Sequence, residues 1–179
     1  MRLIWTEFAE RPGLEQYRKL KGHADKVGQW LTWREKALAG IREAISKRKR
    51  EAEKSKCTWH QGDNSSLVEI FLWEKQFDAA WREAQEGGCN DSLWMKLALL
   101  RKQAHPEDAL VVYQKQIEPI LAQKNVAAYG QAVALLRPIQ SLMETVGRES
   151  EFVRYLDSVR TAHKLKRNFI KLLYRRKWV

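Results

Sequence analysis

The chain has 179 residues, enough to bury one sizeable core. Its 44% hydrophobic and 31% charged residues exclude a chain disordered throughout, and 9 Gly with 4 Pro are too few for an all-β fold with many tight turns. The formal net charge of +11 excludes a uniformly mixed surface, because +12 of it falls in the two segments 42–56 and 160–179 and the remainder sums to −1.

The first predicted element follows the turn signal Arg11-Pro12-Gly13. Leu14, Tyr17, Leu20 and Ala24 recur at three and four residues, on one helical face, until Gly28 breaks the run. Trp30, Trp33, Ala37, Ile41 and Ile45 carry a second, longer helix that ends in the polar run 46–54. Residues 55–65 read as an internal loop around Gly62-Asp63-Asn64. Ser66 and Glu69 fit a capping box, in which the hydroxyl and the carboxylate satisfy first-turn amides; this predicts a helix from Leu67 to Lys75. Phe77–Glu86 forms the next helix, closed by Gly87-Gly88. Asn90, Asp91 or Ser92 caps another that runs to Gln103, and Pro106 opens its successor with a kink expected at Pro119. Asn125 caps the helix through Tyr129, Val133 and Leu136, with a second kink expected at Pro138. Beyond Gly147 a final helical stretch, Glu149–Arg176, is expected, with a break near His163.

Every strong period is helical, and the short connections predict helix hairpins. Gln29-Trp30 with Trp33-Arg34-Glu35-Lys36-Ala37 echoes Gln76-Phe77 with Trp81-Arg82-Glu83-Ala84, and Phe77-Asp78-Ala79-Ala80-Trp81 echoes Pro106-Glu107-Asp108-Ala109-Leu110. Small residues at close contacts and large ones in the gaps follow the logic of tetratricopeptide-like repeats, although the uneven offsets exclude a regular 34-residue period. The expected fold is all-α, an irregular tetratricopeptide-like α-α superhelix of stacked antiparallel hairpins. It is expected to form one domain over residues 1–179, with 160–179 as a basic C-terminal helix or cap. A non-repeating helical bundle is the competing architecture.

Three stretches carry a family likeness: Arg11-Pro12-Gly13-Leu14-Glu15-Gln16-Tyr17 with Leu20-Lys21; Trp33-Arg34-Glu35-Lys36-Ala37-Leu38; and Tyr155-Leu156 with His163-Lys164-Leu165-Lys166-Arg167-Asn168-Phe169-Ile170-Lys171-Leu172-Leu173. On these the chain resembles the C-terminal helical region of bacterial SWIM zinc-finger proteins. The resemblance implies a tetratricopeptide-like superhelix following a separate zinc-binding module that contacts DNA or protein. The Cys-x-Cys and Cys-x-His ligand pairs of that module are missing from this sequence, so its function is not carried over. The chain is expected to be a C-terminal fragment, a split gene product or a stand-alone relative, with an N-terminal SWIM module or chain among its possible protein partners.

The basic C-terminus is the leading functional candidate. On a continuous helix Arg160, Lys164, Arg167 and Lys171 would form one stripe, joined by Lys166, Arg175 and Arg176, while Leu165, Phe169, Leu172 and Leu173 docked to the body. Such a stripe suits a phosphate backbone, where Lys and Arg displace condensed counterions. It equally suits a solvated capping helix, which solenoids need at their ends. Lys47-Arg48-Lys49-Arg50 reads as a solvated helix end. Five tryptophans (Trp30, Trp33, Trp73, Trp81, Trp94) are expected in the core, and Trp5, Trp59 and Trp178 as partner-interface anchors.

Cys57 with His60 is a single close pair where structural zinc wants two, so no metal site is expected. Cys89 precedes a helix start but has no histidine placed as its base, and reads as a structural thiol. No phosphate loop or hydrolase motif occurs, which predicts no catalysis, no cofactor and no small-molecule substrate. Two cysteines argue against a disulfide framework, and no apolar run reaches the ~18 residues of a membrane span. A cytoplasmic, non-membrane setting is expected. The function expected is a non-catalytic scaffold for protein partners, with nucleic-acid binding through the C-terminal helix as the alternative.

Overall fold

The computed structural model describes residues 2–55, 63–176 and 178. Among them are ten α-helices and no strand: α1 (Arg2–Glu10), α2 (Leu14–Lys26), α3 (Trp30–Ser55), α4 (Ser65–Trp73), α5 (Phe77–Gly87), α6 (Asp91–Arg101), α7 (Pro106–Ala122), α8 (Val126–Thr145), α9 (Glu149–Ala162) and α10 (Arg167–Arg175). The protein is all-α. Its contacts divide into two compact units, Met1–Trp94 and Met95–Val179, with the division inside α6.

In unit 1, Tyr17, Leu20 and Ala24 of α2 are fully buried, as are Ala37 of α3, Val68 and Ile70 of α4 and Ala80 of α5. Alanines at these positions let helix backbones approach, and the larger side chains fill the space between. In unit 2, where α8 packs against both α7 and α10, Ala109 and Leu121 of α7, Ala132, Leu136 and Ile139 of α8, and Phe169 and Leu173 of α10 are fully buried.

Several connections use one device. The linkers α2–α3, α4–α5, α7–α8 and α8–α9 each hold three residues, and the middle one has positive φ: Gly28 (65°), Lys75 (60°), Lys124 (54°) and Gly147 (70°). In three of them the next amide bonds back five residues: Gln29 N–H to the Ala24 carbonyl, Gln76 N–H to Phe71 and Arg148 N–H to Met143. This closure satisfies carbonyls that a helix end leaves open. Glycine enters the left-handed region freely, whereas each lysine pays about 1 kcal/mol to do so. The echo between Gln29-Trp30 and Gln76-Phe77 therefore marks a common structural point, the restart of a helix after a left-handed turn.

Asn125 caps α8 as expected, its Oδ1 accepting from Ala128 N–H at 2.8 Å, and Asn90 caps α6 by accepting from Leu93 N–H at 3.0 Å. Other expectations are corrected. Helix α4 starts at Ser65, ahead of the supposed capping box, so Ser66 lies inside it. Asp63 Oδ1 accepts from Ser65 N–H instead, and Asn64 turns inward, donating from Nδ2 to the Glu83 backbone carbonyl and to Glu83 Oε2. Helix α3 ends at Ser55, one residue past the polar run in which its end was expected. Helix α1, which sequence periodicity did not single out, is anchored by the buried Phe8. Of the five tryptophans expected in the core, only Trp81 is buried; Trp30, Trp33, Trp73 and Trp94 are half-buried at its margins. Indole is too large to enclose fully in units of this size, and its N–H favours the wet edge.

Candidate nucleic-acid interface

Unit 2 holds sixteen Lys and Arg against seven Asp and Glu, a formal +9, while unit 1 has seventeen against fifteen. The last acid in the chain is Asp157. How the basic residues beyond it stand depends on where the helix breaks.

The C-terminal stretch is two helices, broken at His163 as expected, so the continuous stripe drawn along it does not form. Helix α9 ends at Ala162, and residues 163–166 form the connection to α10. The buried His163 fixes this break. A lysine ammonium has only donors, so Lys166 Nζ donates to His163 Nδ1 at 3.0 Å; the ring N–H then sits on Nε2, which meets Glu118 Oε1 of α7 at 2.9 Å. The His163 ring also stands edge-on to Phe169, with centroids 6.1 Å apart. The neighbouring Tyr155 hydroxyl is pushed up to about 12, by burial and then by the Glu118 charge, and so stays protonated.

The break dissolves the predicted stripe through Arg160, Lys164, Arg167 and Lys171. Arg160 is on α9 and is ion-paired with Asp157 one turn away. Lys164 is exposed in the connection, and Lys166 is half-buried against His163. Leu165, expected to dock to the body, is 88% exposed at the tip of the connection.

The structure brings together a smaller set. Helix α10 presents Arg167, Lys171 and Arg175 on one side, all exposed, and Arg176 follows immediately. At 100° per residue these three lie within about 80° of one another, and Phe169 and Leu173 lie about 180° away on average. Those two are fully buried, and Phe169 packs against Tyr129 of α8 at 6.1 Å between centroids. One side of the helix is thus core and the opposite side is positive. None of Arg167, Lys171, Arg175 and Arg176 has a carboxylate partner among the described residues. Sequence reasoning missed Tyr174, which is 56% exposed and falls about 20° from Arg167 on the helical wheel. Its spacing of three from Lys171 and seven from Arg167 was the available signal.

Two of the three tryptophans expected at an interface, Trp5 and Trp178, are packed against neighbouring side chains. Trp5 is half-buried, stacked on Phe8 at 5.4 Å and tilted against Trp33 at 5.6 Å, with Lys36 Nζ 4.4 Å above its ring. Trp178 donates from Nε1 to Gln140 Oε1 at 3.1 Å and meets Phe152 edge-on. It helps line an open groove of about 410 Å³ with Val153, Leu156 and Arg160. Trp59, like Cys57 and His60, lies outside the described residues. The Cys89 thiol is pushed up to about 12 by burial and by the charges of Asp63 and Asp91, the reverse of what a nucleophile needs. Among the described residues no three metal-ligating side chains cluster, and no helix is long and apolar enough to cross a membrane.

No family model, curated protein or solved structure matches the chain.

Proposed function

We propose that this protein is a non-catalytic module that binds nucleic acid through the phosphate backbone, using the outer side of α10 and the connection before it. The reading rests on one observation: Arg167, Lys171 and Arg175 stand opposite a fully buried core pair with no carboxylate partner among the described residues. A merely solvated capping helix would be expected to mix charges of both signs, as α2 does with Lys21 and Asp25. Counterion release makes such binding steeply salt-dependent, with about 0.7–0.9 of a unit in the log–log slope for each phosphate neutralised. The triple variant Arg167→Glu, Lys171→Glu, Arg175→Glu is expected to abolish oligonucleotide binding at low salt. Lys47→Glu, Arg48→Glu, Lys49→Glu on α3 serves as a control of equal charge change. Equal loss from both variants would reduce the effect to net charge and overturn the reading.

A protein-binding scaffold is the second reading. It is favoured by an open groove of about 490 Å³ in unit 1, walled by Arg34, Leu38 and Arg42 of α3 and by Ala79, Arg82 and Glu86 of α5. A partner seated there would be released by Arg82→Glu without change in oligonucleotide binding. A tetratricopeptide-like superhelix, SWIM-family membership and a cytoplasmic setting are likewise proposals, carried by the sequence patterns alone.

A further inference from the structure

Tyr174 is left more than half exposed on α10. Of the five tyrosines, Tyr17, Tyr113 and Tyr129 are buried and Tyr155 is half-buried; Tyr174 alone is exposed. Its hydroxyl has no hydrogen-bond partner and its ring no aromatic or cationic neighbour among the described residues. An exposed aromatic ring usually covers apolar surface or pairs with a charge. This one instead stands at the edge of a row of cations.

That row has a definite length. Arg167, Lys171 and Arg175 are spaced four residues apart, so their Cα atoms rise by about 6 Å per step and about 12 Å in all. At the duplex rise of about 3.4 Å per nucleotide that length spans roughly four phosphates of one strand, and a strand with its bases unstacked places fewer there. Duplex nucleic acid would satisfy the cations but offer the tyrosine nothing, because its base faces are stacked on one another. A single strand offers both an anionic backbone and free base faces, and aromatic side chains beside a cationic track are how sequence-independent single-strand binders use them.

Resting on the reading given under Proposed function, we infer that the preferred ligand of α10 is single-stranded nucleic acid, with one base stacked on the Tyr174 ring while Arg167, Lys171 and Arg175 hold the adjoining phosphates. The site takes at most about four nucleotides and reads no sequence, since the described groups facing the ligand carry no arrangement of donors and acceptors matched to one base.

The test is fluorescence anisotropy of the full chain with an end-labelled 12-nucleotide strand of mixed sequence and with the same strand annealed to its complement, at low salt. One stacked base is worth about tenfold in affinity, so the single strand is expected to bind about ten times more tightly than the duplex. Tyr174→Ala should remove that preference and leave duplex binding unchanged, and Tyr174→Trp should keep or increase it. Both variants alter an exposed position, and helical content by circular dichroism checks that they fold. Equal binding of strand and duplex, still lost in the α10 charge-reversal variant, would refute the stacking inference and leave backbone binding standing. Failure to bind either oligonucleotide would overturn both. So would binding only to vesicles rich in phosphatidylserine, lost in Leu165→Asp, because the exposed Leu165 between Lys164 and Lys166 would then mark a membrane contact.

Discussion

Arg34→Met tests the polar centre of unit 1. Glu74 follows the last residue of α4 with its side chain 9% exposed, and Arg34 of α3 grips it from two nitrogens, Nε to Oε1 at 2.9 Å and Nη2 to Oε2 at 2.6 Å. The buried Tyr17 hydroxyl of α2 donates to Oε1 at 2.8 Å. Burial pushes the Glu74 carboxyl up, but the hydrogen bonds from Arg34 and Tyr17 and the charges of Arg34 and Lys21 outweigh it, so it ionises below its ordinary value. Methionine keeps much of the arginine volume and removes the guanidinium, leaving a buried carboxylate with one hydroxyl. Breaking a buried pair costs about 3–5 kcal/mol. The arginine side chain is 23% exposed, so water replaces part of what is lost and about 2–3 kcal/mol is expected. That displaces a urea midpoint by an amount on the order of 1 M or more. Tryptophan fluorescence reports the transition locally, since Trp30 and Trp73 both stand edge-on to Tyr17. A carboxyl with a depressed folded value stabilises the fold fully above its unfolded value of about 4.3, and that stability is lost as pH falls through the folded value. In the variant the orphaned carboxyl is no longer held down, so the gap to the wild type should narrow on acidification. Adding Glu74→Gln should recover part of the loss, by about 1 kcal/mol or more of coupling. A cost below about 0.5 kcal/mol at neutral pH, or a gap that stays constant from about pH 7 to pH 4, would refute the reasoning.

Three further outcomes follow from the packing. A Cβ added at Gly87 would fall on the carboxamide of the buried Asn64, so Gly87→Ala should cost about 1–3 kcal/mol by thermal denaturation as the Asn64–Glu83 bonds are displaced. Asn125→Ala removes the cap of α8 and should cost about 1 kcal/mol in the same assay. Phe169→Ala should cost about 3–5 kcal/mol, detectable as early proteolysis beyond α9, because the ring is fully buried and anchors α10 to α8.

Helix existence and type were legible wherever apolar periods were long. The Tyr17-Leu20-Ala24 face, the Pro106 start and the Asn125 cap all follow from local chemistry that does not need the rest of the chain. What was illegible depended on distant partners. Asn64 looked like loop punctuation because its partner, Glu83, lies nineteen residues away. Lys75 and Lys124 carry no sign of a left-handed backbone, since lysine seldom adopts it and the hairpin geometry imposes it here. Leu165 read as core because a helix extended through the connection would have turned it inward. Of the candidate residues, Arg167, Lys171 and Arg175 are gathered on one side and Arg160 and Lys166 are spent on neighbours; telling these apart required knowing where α9 stops.

The two basic runs show why charge count alone does not mark a site. Lys47, Arg48, Lys49 and Arg50 are consecutive, and at 100° per residue they point around nearly the whole circumference of α3, with Glu43 before them and Glu51 and Glu53 after. No single strand or surface can engage all four together, and their fields are diluted by acids within two turns. Helix α10 carries three bases in nine residues, fewer than that run, but four-residue spacing keeps them on one side and burial of Phe169 and Leu173 fixes which side that is. The core therefore orients the charge: the Phe169 ring and the Leu173 branch that hold α10 on α8 prevent it from rolling and leave Lys171 pointing outward. A variant that kept the composition of α10 but exchanged Lys171 with Leu172 would move the central charge about 100° toward the core, and should weaken both docking and oligonucleotide binding with no change in net charge.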